Sequence, residues 1–179
     1  GYFNPAVTLG LMGAGRLGLA PGLAALAGQL GGAAACAALL TWLFGAQALS
    51  SAVPTASLPP RPAFVLEAVA TAVLVLVVFG TRIDPRGPRS ISPAAIGSAV
   101  TVGMLAIGPL TGGVMNPVRY LAPALWCGRA ESWLVYLVGS VSGAVIASVL
   151  MHFVLLVEFP PGIDAEAPTE EYRNRQAAA

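Results

Sequence analysis

Two short stretches hold the residue types best suited to chemistry, Phe3-Asn4-Pro5-Ala6-Val7 and Met115-Asn116-Pro117-Val118-Arg119. The chain has three asparagines, and two of them directly precede proline. An Asn side-chain oxygen accepts a first-turn N–H, and Pro suits the next position, where an N–H would be unpaired anyway. Each pair therefore predicts a helix start, with an ordinary loop turn as the competing reading. Once its oxygen caps the helix, each amide still has N–H donors to offer a solute oxygen. That chemistry is recognition of neutral, hydroxyl-bearing molecules, with no bond made or broken.

Other polar groups stand in apolar surroundings. Arg119 lies in the first turn after the second pair, whereas the matching position of the first pair is Val7. A lone Arg at membrane depth usually faces a cavity and is functional; the alternative is an Arg snorkelling to the interface. Glu67 and Thr71 are one helical turn apart in an apolar run. Near a helix start Glu67 could simply favour the dipole or cap the first turn. His152 has no carboxylate or cysteine at ligand spacing, so it reads as packing or solvation and not as a metal ligand. Cys36 and Cys127 have neither metal-site spacing nor the count of a disulfide scaffold and read as small buried hydrophobes. No nucleophile paired with His and no His-Glu-x-x-His occurs in the apolar runs. Neither catalysis nor a cofactor nor a metal is expected.

The elements that must position these groups follow from composition. Of 179 residues, 56% are hydrophobic and 9% charged, against roughly 25% charged in soluble domains. A water-soluble fold is excluded. A net charge of +1 without a basic cluster argues against a nucleic-acid partner. Charge-free stretches at 17–60, 90–118 and 132–157 each exceed the roughly 20 residues that cross a bilayer as helix. Spans are expected at about 21–44, 63–81, 91–109 and 132–157. Gly28 and Gly32, and Gly139, Gly143 and Ala147, have the small-xxx-small spacing that lets helices pack closely in lipid. The loop holding Arg82, Asp84, Arg86 and Arg89 is the densest in basic residues, which makes it cytoplasmic. That puts the Ser- and Pro-rich 45–62 loop outside and Arg16 back on the cytoplasmic side.

Residues 1–15 and 110–128 are apolar but too short to cross, so they fit re-entrant half-helices at about 4–14 and 117–127. Three spans separate them, and an odd number of crossings makes them enter from opposite faces as an inverted repeat. Their N-termini would meet near the midplane, each with about half a positive charge, and repel cations and protons. Residues 159–179, rich in charge, are expected to be a disordered cytoplasmic tail.

These motifs, extended as Tyr2 to Gly10 and as Thr111 to Arg119 followed by Pro123-Ala124-Leu125, make residues 1 to about 157 resemble the aquaporin, or major intrinsic protein, family. The resemblance implies an all-α membrane protein, an inverted-repeat bundle with two half-helices, one pore per protomer and four protomers associated in the cell membrane. It also implies a chain that begins in the first re-entrant loop, with two spans lacking. Partners would be water, small uncharged solutes and the lipid bilayer. Asn4, Pro5, Ala6, Asn116, Pro117 and Val118 would form the paired pore motifs, although Val118 departs from the usual Ala. Arg119 would be the filter arginine. Met104 holds the position where strict water channels usually carry His, and Gly113 holds the other small filter position; core or lipid packing is the alternative for Met104. Flexible Met and small Gly imply a constriction wider and less polar than that of a water-only channel. Tyr120 and Ala124 stand where glycerol channels carry Asp and a basic residue, so both lean toward water, as does aromatic Tyr136. Leu137 is aliphatic as in glycerol channels. Glu67 would be a buried carboxylate accepting backbone N–H bonds from the second re-entrant loop, with Thr71 beside it and Gln29 in a similar polar support role. The expected function is a passive channel that excludes ions and protons. A secondary transporter with a midplane site and a pore-inactive structural protein are the alternatives.

Overall fold

In the computed structural model, residues 2–155 are described. The expected tail at 159–179, with its cytoplasmic placement, and the last residues of the 132–157 span lie outside them. All regular structure among the described residues is helical, as the all-α reading requires. The elements are α1 (Pro5–Gly13), α2 (Leu19–Phe44), α3 (Ala46–Ser51), α4 (Pro60–Val78), α5 (Ser92–Thr111), α6 (Pro117–Trp126) and α7 (Gly139–Leu150). Five-residue π turns extend α4 through Ile83, precede α7 from Leu134 and follow it from Met151.

Four helical stretches are long and apolar enough to cross a membrane: Leu19–Phe44, Pro60–Ile83, Arg89–Thr111 and Leu134–Val154. With 9 and 10 residues, α1 and α6 reach only about half of a 30 Å hydrocarbon core at 1.5 Å per residue. One element was not anticipated. The 45–62 connection, expected as a loop, contains α3. Gly45 turns the chain at φ +81°, and the Ala- and Leu-containing segment after it winds until Ala52. Helix formers without a proline make that turn favourable.

The inner pair is α4 and α7. Bulky β-branched residues line α4, but the facing side of α7 is Gly139, Gly143 and Ala147, which lets the backbones touch. A Cβ at Gly139 would sit 3.2 Å from the Phe64 carbonyl oxygen, and one at Gly143 would collide with the carbonyl of Ala68. α1 packs on the same helix, with Gly10 against Ala144 and Ser148. One core, including Ala6, Leu11, Val75, Phe79, Ala144 and Met151, cements α1 to this pair. A second, including Ala63, Val114, Tyr120, Ala124 and Tyr136, does the same for α6. α2 and α5 lie outside, with leucines and valines largely exposed. Cys36 is therefore exposed on α2 and Cys127 half-buried, which corrects the expectation that both are buried; the outward face of α2 needs no polar cover in lipid.

The close crossing carries a test. Gly143→Ala should lower the thermal stability of the detergent-solubilised protein by about 1–3 kcal/mol, the usual cost of overpacking. Gly28→Ala, whose Cβ would meet nothing within 4 Å, should leave stability unchanged or raise it.

Candidate functional site

The site begins with two helix N-termini. Asn4 adopts an extended backbone at φ −140° and its Oδ1 accepts the Ala6 N–H at 3.0 Å, with Pro5 at the first helical position. Asn116 repeats the arrangement at φ −153°, accepting the Val118 N–H at 3.2 Å, with Pro117 next. Both are N-caps whose following residue has no amide hydrogen to strand.

The amide nitrogens then tie the two loops together. Asn4 Nδ2 donates to the Met115 carbonyl at 2.7 Å, and Asn116 Nδ2 donates to the Phe3 carbonyl at 3.0 Å. Each asparagine thus holds the carbonyl that precedes the other. An amide nitrogen has two hydrogens, so one per asparagine is left for a solute. Neither α1 nor α6 has an acidic residue in its own first turn, so the positive ends of both dipoles meet at the two asparagines, with the Glu67 carboxylate set behind the second loop. Ala6 is fully buried, and Val118 is 9% exposed.

The second loop is strained and therefore needs holding. Gly112 and Gly113 have φ of +89° and +56°, and Met115, with a Cβ, sits at +49°. Such a conformation costs about 1–3 kcal/mol unless the surroundings impose it. Glu67 supplies part of that constraint. Its Oε1 accepts the Val114 N–H at 3.0 Å and the Thr111 hydroxyl at 2.6 Å, and its Oε2 accepts the Met115 N–H at 2.7 Å. Both oxygens of a fully buried carboxylate are satisfied, as burial of a charge demands. The dipole or capping reading of Glu67 does not describe these contacts. Thr71 is equally buried, but its hydroxyl donates to the backbone carbonyl of Glu67 at 2.7 Å and never meets the carboxylate.

The first loop has its own support. Gln29 Nε2 on α2 donates to the Thr8 hydroxyl at 2.8 Å, and that hydroxyl donates to the Asn4 carbonyl at 3.0 Å. Gln29 therefore reaches the first motif through Thr8, a residue the sequence did not single out.

Beyond the second motif, Arg119 is exposed, and its Nη1 donates to the Gly113 carbonyl at 2.6 Å. Met104 is 41% exposed and lies beside Gly113: a Cβ there would be 2.9 Å from the Met104 Cα. Arg119, Gly113 and Met104 therefore share one neighbourhood. Tyr120 and Tyr136 are buried, with ring centroids 4.6 Å apart, Ala124 is buried in the same core, and Leu137 is half-buried. His152 lies apart, beside Gly13 and Ala14 at the end of α1 remote from Asn4, with its ring edge-on to Phe153. Among the described residues no group of three metal-ligating side chains exists.

Sequence reading missed Thr111, Thr8, Tyr136 as the hydroxyl donor to the Thr111 carbonyl at 2.8 Å, and Ser57, whose hydroxyl donates to the Pro109 carbonyl at 3.2 Å. Thr111 lies within a quoted stretch, and a hydroxyl just before a glycine pair was the available signal. The Glu67 contacts can be tested directly. Glu67→Gln keeps the volume but turns an NH2 toward backbone N–H donors, so it should destabilise the solubilised protein by about 2–3 kcal/mol. Thr71→Val, which removes only an intrahelical bond, should cost less in the same thermal melts.

A family model, Major intrinsic protein, matches residues 1–151. A probable aquaporin TIP2-2 of Arabidopsis thaliana is 33% identical over 96% of this chain and 67% of its own length. Aquaporin TIP1-2 of Zea mays is 36% identical over 89% of this chain and 64% of its own length. The chain thus spans about two thirds of the length of the curated relatives it matches. An aquaglyceroporin structure from Plasmodium falciparum superposes with a TM-score of 0.74, at 21% identity, over 89% of this chain and 75% of that one, which establishes the shared fold. On the motifs, the architecture and these matches together, this multi-pass membrane chain belongs to the major intrinsic protein, or aquaporin, family.

Proposed function

We propose that this chain builds the paired-asparagine region and one side of the filter in a passive channel for water and small neutral solutes, which excludes ions and protons. The reciprocal Asn4–Met115 and Asn116–Phe3 hydrogen bonds carry the reading. They leave one donor on each asparagine where two helix N-termini meet. Such a place offers hydrogen bonds to an oxygen atom and an unfavourable potential to a cation. Water and glycerol-like solutes satisfy those donors without bringing charge.

Arg119 would act as the filter's fixed cation, and Met104 and Gly113 as its apolar and small sides. Glu67, Gln29 and Thr71 would be supporting residues, Thr71 through the backbone of Glu67. The names of the relatives, which are aquaporins and an aquaglyceroporin, favour the same solute class. Four protomers in a cell membrane, with the 82–89 loop cytoplasmic, complete the proposal; the apolar outer faces of α2 and α5 suit lipid and neighbouring protomers. A gradient-driven transporter would need free titratable groups along the path, and Glu67 is already fully hydrogen-bonded.

Liposomes containing the full-length protein should shrink faster under an osmotic step than empty vesicles of equal lipid; equal rates would refute the channel. Arg119→Val should retain water flux and raise proton leak, read by an internal pH dye, by about tenfold or more, since a fixed charge near the path contributes 1.4 kcal/mol or more at an intermediate effective dielectric. Unchanged leak would remove the charge barrier from Arg119.

A further inference from the structure

Each half-helix leaves a cleft against a neighbouring span, α1 against α7 and α6 against α2. The two clefts hold equivalent places in the inverted repeat, so each serves as a control for the other. The one at α6, about 240 Å³, is walled by residues such as Leu30, Leu121, Leu125 and Trp126, with no hydroxyl or imidazole among its side chains. The one at α1, about 140 Å³, opens instead onto Ser148 and His152.

Both of those side chains have a buried polar atom without a partner. Ser148 is 4% exposed and its Oγ makes no hydrogen bond, and neither does the buried Nδ1 of His152. A helical hydroxyl readily donates to the carbonyl four residues back, as those of Thr71, Thr81, Thr101 and Thr111 all do. Ser148 does not. Its oxygen is turned toward α1, where a Cβ on Gly10 would lie 2.6 Å from it. Buried polar groups without partners are rare, and here two of them face one cleft, four residues apart on one helical run.

The rest of the cleft defines the partner they suit. No charged side chain lines it, which disfavours an ion. A hydroxyl both donates and accepts, so it pairs with Ser148 Oγ and with His152 Nδ1 in either imidazole tautomer. His152 is within the last three residues of the span Leu134–Val154, whereas Leu9 and Val145 line the cleft nearer the middle of the span. The cleft is thus polar toward the membrane surface and apolar toward the midplane, the polarity of a lipid. Gly13 leaves room at its side, since a Cβ there would meet nothing within 4 Å. Its volume is close to the roughly 150 Å³ that holds a benzene-sized fragment, enough for one small head and the first carbons of one chain.

We propose that the cleft between α1 and α7 is a binding site for a neutral single-chain lipid with free hydroxyls, a monoacylglycerol, with its head bonded to Ser148 and His152 and its chain along Leu9 and Val145. The site uses none of the residues assigned to the channel and requires only that the chain lie in a membrane.

Tryptophan quenching tests this. In the full-length protein with its native tryptophans changed to Phe, Phe153→Trp places a reporter at the cleft; a second protein keeps only Trp126, which lines the α6 cleft. Each is reconstituted in phosphatidylcholine vesicles that carry either a chain-brominated monoacylglycerol or a chain-brominated phosphatidylcholine at equal bromine content. The monoacylglycerol should quench the Phe153→Trp reporter with a relative affinity about fourfold higher or more, since each neutral hydrogen bond contributes roughly two- to tenfold, and should show no preference at Trp126. Ser148→Ala combined with His152→Phe should abolish the preference. Equal quenching by the two lipids at Phe153→Trp overturns the proposal, whether the cleft then holds water or ordinary acyl chains. A preference that survives the double substitution, or that appears equally at Trp126, overturns it too. If Phe153→Trp does not fold, Val149→Trp, at a position 50% exposed on the same cleft, decides by the same criteria.

Discussion

The reciprocal pair of asparagine-to-carbonyl hydrogen bonds is the constraint on which the other features of this structure depend. Non-helical backbone at membrane depth is tolerated only when its polar groups are satisfied inside the protein or line a cavity. Each loop that starts a half-helix solves this with the other's asparagine: Asn4 satisfies Met115, and Asn116 satisfies Phe3. The two termini are therefore held tip to tip, and neither loop is satisfied without its mate. The strained φ of Met115 follows from the same requirement, since its carbonyl must point at Asn4 while its amide points at Glu67.

That junction must be carried by something stiff. α4 and α7 provide it, because glycines on α7 bring it against the backbone of α4 and fix Glu67 and Tyr136 in one frame. Side chains from α4 and from the π turn that leads into α7 reach the second loop from two directions, the Glu67 carboxylate at Val114 and Met115 and the Tyr136 hydroxyl at Thr111. The first loop is held more lightly, through Gln29 and Thr8 from the outer helix α2. The asymmetry matches the loops themselves: the first runs from Asn4 directly into helix, whereas the second must cross three residues of positive φ before Asn116.

How legible all this was in the sequence follows from the range of each interaction. The caps are local, and Asn followed by Pro declares them; so are the long apolar runs that mark the four spans. Glu67 was visible as a carboxylate in an apolar helix, but its backbone partners lie 47 and 48 residues away and were supplied by family resemblance. Thr71 looked like its partner because it is one turn away, yet a Thr in a helix readily bonds the carbonyl four residues back, and Thr111 took the carboxylate instead. The Ser57 and Tyr136 contacts span 52 and 25 residues, and no pattern of residue types announces them. α3 escaped because serines and a following proline outweighed six helix-compatible residues. Cys36 was misjudged by a soluble-protein rule, in which a small apolar residue is buried, whereas a helix facing lipid inverts that preference.

On the proposed reading, magnitudes separate what each feature contributes to exclusion. Moving a bare ion into a narrow apolar passage costs several kcal/mol or more after relaxation, whatever its sign. Size and dryness therefore exclude ions generally and need no special residue. The helix termini act on sign: a half-charge at about 4 Å and an effective dielectric near 20 contributes roughly 2 kcal/mol each, about 4 for the pair. The potential at Asn4 and Asn116 thus discriminates cations from anions, and Arg119 adds a full charge at a second level of the path. A proton is the harder case because it moves along hydrogen-bonded water without crossing as a bare ion. There the free amide donors matter more than the desolvation cost. A water that accepts from both asparagines has its oxygen lone pairs directed at protein, so it cannot accept a proton from its neighbour. One donor per asparagine is enough for that, which is why the other can be spent on holding the two loops together.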